Sequence, residues 1–191
     1  MTRLENRSVA EFTSHIAFTT EVESRMMDAW AESSNSGCVW YQDNGVDNNG
    51  GFVKNGVDTS AVDFIANING IETHLEMKFV PTKGKLSLKS ADIHNYLRQN
   101  ANVLFVFNMS DRTLKVPEDK DIRKHWRKIR DTWRAGLLKW AIVGPSTLVE
   151  MHEKTREVLI PYMGFKPGII VDESEYGDYF RLRRFRYGTS K

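Results

Sequence analysis

The chain has 191 residues, 40% hydrophobic and 27% charged, with a formal net charge of only +2, as expected for one globular domain. No apolar run approaches the roughly 20 residues that span a bilayer, and the first residues lack the apolar core of a signal peptide. The lone Cys38 excludes an intramolecular disulfide and a cysteine-based zinc site. We therefore expect an intracellular, cytoplasmic protein with no membrane partner.

The first predicted helix covers residues 20–33. Thr20 followed by Glu23 forms a capping box, which is typical of a helix N-terminus. Glu23, Met26 and Trp30 are spaced by three and four residues, so they share one face of this helix. That face is expected to pack against a sheet, with the Glu23 carboxyl near its N-terminal end.

A β-hairpin is predicted after the Asn-, Asp- and Gly-rich stretch at residues 42–58, which indicates a long loop or a loose hairpin. Asn69–Gly70 between two apolar segments is a strong hairpin signal. The two strands are residues 62–68 and 71–79. Their pairing about the turn is expected to place the first strand's acidic residue beside the second strand's charged residues.

The charged residues of this hairpin are Asp63 on the first strand and Glu76 and Lys78 on the second. Glu76 and Lys78 are two residues apart, so their side chains leave the same face of the strand. The side chains expected on the opposite, core-facing side are Leu75, Met77 and Phe79. Two carboxylates and an ammonium at one point are costly to bury without a divalent cation, so the cluster predicts a metal site.

Further elements follow the hairpin. Ile93 and Leu97 are predicted to form the buried stripe of the next helix. The predicted segments are a lysine-bearing loop at 81–89, a helix at 90–100, a buried strand at 103–107, a helix at 118–135, a strand at 138–143, a helix at 145–158, and late strands at 168–171 and 178–187. The helix at 118–135 carries an apolar stripe at Ile122, Trp126, Ile129 and Trp133.

Positive charge is concentrated in the second half of the chain. Residues 120–139 hold eight basic residues and two acids. We expect these cations to contact nucleic acid, and the tryptophans among them to lie in the core. His125 is expected to lie on the same nucleic-acid face or in solvent. The predicted nucleic-acid contacts are Lys83, Lys85, Lys89, Arg123, Lys124, Arg127, Lys128, Arg130, Arg183, Arg184 and Arg186.

Asp63 followed by Glu76-Met77-Lys78 resembles the motif of the PD-(D/E)xK nuclease superfamily, which includes restriction enzymes, Holliday-junction resolvases and some homing endonucleases. Val62 stands where the family often has proline. The resemblance covers roughly residues 20–108. It implies an α/β (α+β) restriction-endonuclease-like core, in which helices flank a central mixed sheet in the order α-β-β-α-β, with C-terminal additions. We expect one nuclease domain over residues 1–191, with this core and a basic extension at about 109–191.

The resemblance also implies the roles of the site residues. The implied ligands of Mg²⁺ or Mn²⁺ are Asp63, Glu76, the Met77 backbone carbonyl and Glu23. Lys78 would orient the attacking water and offset phosphate charge. Glu21 is the alternative to Glu23, although its offsets indicate that it faces solvent, and Gln99 would be an accessory polar residue.

These features predict a metal-dependent endonuclease that acts on double-stranded or branched DNA as a homodimer. One alternative keeps the chemistry but makes the protein a Holliday-junction resolvase or an exonuclease. Another is a non-catalytic nucleic-acid-binding protein on the same fold. The sequence does not distinguish DNA from RNA as the substrate.

Overall fold

The computed structural model describes residues 9–44, 62–117, 119–158 and 168–186. The helices are α1 (Val9–Ala31), α2 (Ser90–Arg98), α3 (Ile122–Arg134), α4 (Pro145–Val158) and the one-turn α5 (Tyr176–Tyr179). The strands are β1 (Cys38–Asp43), β2 (Phe64–Ile68), β3 (Ile71–Val80), β4 (Lys85–Lys89), β5 (Asn102–Asn108), β6 (Leu138–Val143), β7 (Gly168–Asp172) and β8 (Arg183–Arg184). Most of the predicted stretch 42–58 lies outside the described residues.

The described strands form a six-stranded sheet in the order β1-β2-β3-β5-β6-β8 and a two-stranded sheet of β4 and β7. In the larger sheet β3 and β5 are parallel, and the other neighbours are antiparallel. The parallel pair needs a crossover connection, which α2 provides. The fold is therefore a central mixed sheet flanked by helices, as predicted, and β6 and β8 of the basic extension belong to that same sheet.

Helices cover both faces of the central sheet. On one face the buried residues of α1 and α3, including Met26, Trp30 and Ile129, pack against Leu104 and Val106 of β5. On the other face α2 and α4 pack against the alternate residues of β5. Because β5 is buried on both faces, its sequence is a continuous apolar run, which is why it was predictable.

The first helix is longer than predicted. α1 begins at Val9, so Thr20 and Glu23 lie inside it and the predicted capping box is wrong. Phe18 and Val22 are buried with Met26 at intervals of four residues, so the apolar periodicity already extends upstream of Thr20. The buried positions of Met26 and Trp30 agree with the predicted face.

The predicted loop at 81–89 is wrong in its second half, where β4 pairs antiparallel with β7. Leu86 and Leu88 are buried and alternate with exposed positions, which is the period of a strand. The predicted strand at 178–187 is also mostly wrong. Tyr176 and Phe180 pack on Phe107 from a single helical turn, with ring centroids 4.8 and 5.1 Å away, and the strand contains only two residues.

No helix among the described residues is long and apolar enough to cross a membrane.

Candidate active site at the open end of the hairpin

The register of the hairpin decides where Asp63 lies. The turn residues Asn69 and Gly70 both have positive φ angles (54° and 87°), which is the geometry of a two-residue hairpin turn. Phe64 at the start of β2 pairs with Leu75, so the preceding Asp63 lies level with Glu76. The Asp63 Oδ2 atom accepts a hydrogen bond from the Met77 backbone N–H at 2.9 Å. The Asp63 carboxylate is thereby fixed to the strand that carries the second acid.

Glu76 and Lys78 are in direct contact. The Lys78 Nζ atom lies 2.6 Å from Glu76 Oε1, and the two side chains are 35% and 13% exposed. The Tyr96 hydroxyl donates to the same Glu76 oxygen at 3.2 Å. One carboxylate oxygen thus accepts from an ammonium and a phenol, and this holds its orientation.

The site lies where the sheet narrows. Within the described residues β2 pairs with β3 no further than Phe64 and Leu75, whereas β5 accompanies β3 to Val80. Side chains from helices on opposite faces of the sheet interact with the charged residues here. Tyr96 comes from α2 on one face, and Glu23 comes from α1 on the other and interacts electrostatically with Asp63, Glu76 and Lys78.

The pKa of Asp63 is raised from 3.8 to about 7. Desolvation by burial is the largest cause, the negative charge of Glu76 is the second, and the Met77 N–H and Lys78 oppose them. Burial and the neighbouring Glu76 charge thus disfavour the ionised form of Asp63, and a bound cation would offset both effects.

The pKa of Glu23 is raised from 4.5 to about 8 by burial, then by the charges of Asp63 and Glu76, while Lys78 opposes the increase. Burial lowers the pKa of Lys78, but the nearby Glu76 outweighs that effect and the net shift is upward. Lys78 is therefore a permanent cation. Three carboxyls share this one ammonium, which leaves an excess of negative charge when all are ionised.

These side chains match the chemistry of a hard divalent cation, which prefers carboxylate oxygens. As they stand, however, no group of three or more His, Cys, Asp or Glu side chains in the described part of the chain is arranged to hold a metal ion. Glu76 is instead paired with Lys78, and Asp63 with the Met77 N–H. The donors for Mg²⁺ or Mn²⁺ are present, and Glu76 would have to exchange its contact with Lys78 for the cation.

Tyr96 was missed at the sequence level. Ile93 and Leu97 were predicted to form the buried stripe of α2, but Leu97 is 46% exposed and the stripe is Ile93 and Tyr96. Residues three and four positions after Ile93 both lie on its face of a helix, so the periodicity alone does not distinguish Tyr96 from Leu97 as the buried residue. Gln99 lies at the end of α2, where its backbone N–H donates to the Asn95 carbonyl, and the contact from α2 to Glu76 comes from Tyr96.

The two candidate acids of α1, Glu21 and Glu23, have different surroundings. Glu21 is exposed and forms an ion pair with Arg25 at 2.7 Å. Glu23 interacts with the hairpin carboxylates instead. Of the two acids, Glu23 and not Glu21 interacts electrostatically with Asp63.

The predicted nucleic-acid contacts fall in three places. Lys83 is exposed and pairs with Asp111 at 3.2 Å, Lys89 is exposed just before α2, and the side chain of Lys85 lies outside the described residues. The predicted contacts on α3, all of them exposed, are Arg123, Lys124, Arg127, Lys128 and Arg130. The predicted contacts around β8, also exposed, are Arg183, Arg184 and Arg186. Phe185 packs on Trp133 with ring centroids 4.7 Å apart, so the last two groups adjoin each other.

The prediction for His125 is wrong. Its side chain is buried and lies 5.3 Å from the Phe18 ring, centroid to centroid, between α3 and α1. Burial lowers its pKa, and the charge of Lys128 lowers it further. His125 was assigned to the basic surface because its neighbours in sequence are basic, but its face of the helix points inward.

No protein-family model matches the sequence, and no curated protein matches it. Among solved structures, the chain is similar to Hjc of Archaeoglobus fulgidus, described as a Holliday junction resolvase from an archaeal hyperthermophile. The sequence identity is 12%, the match covers 84% of this chain and 89% of Hjc, and the TM-score is 0.35. A TM-score this low carries no functional argument, so function has to be inferred from the side chains of the site.

Proposed function

We propose that the protein is a metal-dependent DNA endonuclease of the PD-(D/E)xK type. The observation that supports this most directly is the convergence of Glu23, Asp63, Glu76 and Lys78, in which three buried or half-buried carboxyls share one ammonium. An ordinary structural cluster would balance these charges. An excess of negative charge is instead what a divalent cation requires.

The side chains have separate parts in the proposed reaction. Asp63, Glu76 and Glu23 would hold Mg²⁺ or Mn²⁺ together with the Met77 carbonyl. A bound cation of this kind lowers the pKa of a bound water and offsets charge on the phosphate oxygens. Lys78 would orient the attacking water and stabilise the developing phosphate charge, since it stays protonated. The exposed cations of α3 would hold the phosphate backbone on either side.

Incubation of supercoiled plasmid with Mg²⁺ or Mn²⁺ tests the proposal. The wild-type protein is expected to nick or linearise the plasmid and to be inactive in chelator. Glu76→Ala and Asp63→Ala should each reduce cleavage by at least about 100-fold while DNA binding persists. The matched control is Glu72→Ala, which removes an exposed acid from the same strand. Full cleavage by Glu76→Ala would show that the assigned site is wrong.

The Glu23 assignment has its own control on the same helix. Glu23→Ala is expected to impair cleavage, whereas Glu21→Ala, which loses only the exposed pair with Arg25, should not. Equal activity of both variants would remove Glu23 from the site.

The finer identity of the enzyme depends on its substrate. A panel of linear, nicked, four-way-branched and single-stranded DNA, with RNA of the same sequences, separates a sequence-specific endonuclease from a junction resolvase, an exonuclease and a ribonuclease. We propose a homodimer, because paired cuts in two strands need two sites, and the mass in solution tests this. If the wild type binds these substrates and cuts none in either metal, the non-catalytic alternative holds.

A further inference from the structure

Glu23 also lines a concave pocket, and the proposed metal site does not occupy this pocket. It has a volume of about 360 Å³, within the usual range for ligand pockets. The apolar residues of its wall are Val22, Phe79, Pro81, Leu114 and Val116. They come from α1, the end of β3 and the segment that follows β5, so the pocket lies at the meeting point of three elements.

The segment that follows β5 is fixed in place by hydrogen bonds. The Leu114 backbone N–H donates to the Pro81 carbonyl at 2.8 Å. The Asn108 amide donates to the same carbonyl at 2.9 Å and to the Arg112 carbonyl at 2.6 Å. Ser110 donates its hydroxyl to the Asn108 side-chain oxygen at 2.6 Å. The pocket wall is therefore preformed, which reduces the ordering cost of binding.

The polar groups of the pocket are few. Thr19 and Glu23 line it from α1, His125 lines it from α3, and Lys115 is exposed at its edge. Lys128 adds one further positive charge near His125. Apolar walls, a few hydrogen-bonding groups and a basic rim match a planar base attached to a phosphate backbone.

We propose that this pocket receives one nucleobase, turned out of its stack, from the DNA next to the bond that is cleaved. The inference deepens the proposed nuclease function, because Glu23 both lines the pocket and adjoins Asp63. A phosphate held at the carboxylate cluster would leave its neighbouring base within reach of the pocket. Insertion would be easiest for an unpaired or branch-point base, since such a base loses least stacking energy.

Fluorescence of 2-aminopurine, which increases when the base leaves its stack, tests insertion without cleavage. The label is placed in turn at each nucleotide around the branch of a four-way junction and of a flap, with wild-type protein and with the larger Ca²⁺ in place of Mg²⁺. We expect an increase at one position. Val116→Trp fills the pocket and should abolish the increase, whereas Val39→Trp, on an exposed β1 position, should retain it. No increase at any position with the wild type would overturn the proposal, as would an unchanged increase with Val116→Trp.

Cleavage with Mg²⁺ separates this proposal from the nuclease function. Val116→Trp should cut intact DNA about tenfold more slowly or worse, and an abasic nucleotide at the inserted position should restore its rate to that of the wild type. A merely misfolded variant would not be restored. If the wild type cuts but shows no fluorescence increase, the pocket inference fails and the nuclease stands. If fluorescence increases as described but no DNA is cut, the nuclease fails and base insertion stands.

Discussion

The metal-free protein should become less stable as the pH rises, and the carboxylate cluster should be the cause. Asp63 and Glu23 have folded-state pKa values of about 7 and about 8, against reference values of 3.8 and 4.5. Between about pH 4 and about pH 8 the folded protein therefore binds more protons than the unfolded chain. The linkage relation then makes the free energy of unfolding decrease through this window.

The sign is opposite to that of a salt-bridged carboxylate. A carboxyl with a lowered folded-state pKa stabilises the fold at pH values above its unfolded-state pKa. Asp63 and Glu23 have raised pKa values, so their contribution to stability is present at low pH and is lost as the pH rises. Lys78 stays charged throughout the window and does not contribute to the slope. His125 has a lowered pKa, so it favours the folded state as the pH rises towards 6.5. The decrease in stability caused by the carboxyls is therefore clearest above pH 6.5, where His125 no longer opposes it. A comparison of wild type with a carboxyl variant isolates this decrease at any pH.

The size of the effect can be bounded from Asp63 alone. One pKa unit is worth about 1.4 kcal/mol, so an increase from 3.8 to about 7 corresponds to at most about 4 kcal/mol. Asp63 is half-buried and its pKa depends on the charge of Glu76, so solvent and this coupling reduce the figure. We expect Asp63→Asn to become more stable relative to the wild type by about 1 to 2 kcal/mol between pH 5 and pH 8.5.

Urea unfolding at a series of pH values measures this, with wild type and Asp63→Asn in parallel and chelator present. Glu72→Gln, at an exposed position of β3, is a control for general charge effects. Addition of Mg²⁺ at pH 8.5 should restabilise the wild type by about 1 kcal/mol when its concentration is several times the dissociation constant, but not Asp63→Asn. Parallel pH profiles for wild type and Asp63→Asn would refute the charge-excess argument, and an equal effect of Mg²⁺ on both would refute the metal site.

Three further predictions follow from single contacts. Tyr96→Phe should keep the fold but slow cleavage by about three- to tenfold, since it removes one hydrogen bond to Glu76, and circular dichroism with single-turnover kinetics checks both parts. Gly70→Ala should destabilise the protein by about 1 to 2 kcal/mol in urea unfolding, because alanine is strained at a φ angle of 87°. No steric clash adds to this strain, since the new Cβ would meet nothing within 4 Å. The double variant Arg123→Ala/Arg127→Ala should lower the slope of log affinity against log salt by about 2 in DNA titrations, and an unchanged slope would show that α3 makes no phosphate contacts.

Local signals explain which elements were predictable. The hairpin was predictable because Asn69–Gly70 fixes both the turn type and the register of the two strands. This register brings Asp63 level with Glu76. Strand β6 has the predicted bounds because Lys139 is the single polar residue in its apolar segment. Helix α4 has the predicted bounds because its first residue is proline. The predicted stripe of α3 is confirmed in part. Ile129 is fully buried, whereas Ile122, Trp126 and Trp133 are partly buried and pack against the core, and the other buried residues of the helix are His125 and Thr132.

Elements defined by distant partners were not predictable. The local sequence predicts a loop at β4 although Leu86 and Leu88 alternate as in a strand, because its partner β7 lies about eighty residues later in the chain. The basic neighbours of His125 concealed an inward-facing position. In both cases the local sequence allowed more than one arrangement of buried and exposed positions. Tertiary packing determined which arrangement formed.

The same limit applies to the site, where the hairpin could be predicted and its surroundings could not. Asp63, Glu76 and Lys78 depend on one turn, so their proximity follows from a two-residue motif. Glu23 and Tyr96 reach them from helices on opposite faces of the sheet, at the point where β2 no longer accompanies β3. Helices on both faces of the sheet thus contribute to the burial of these carboxyls, and this burial is the main cause of the raised pKa values of Asp63 and Glu23. Among the described residues, no strand pairs with β3 on the β2 side beyond Leu75.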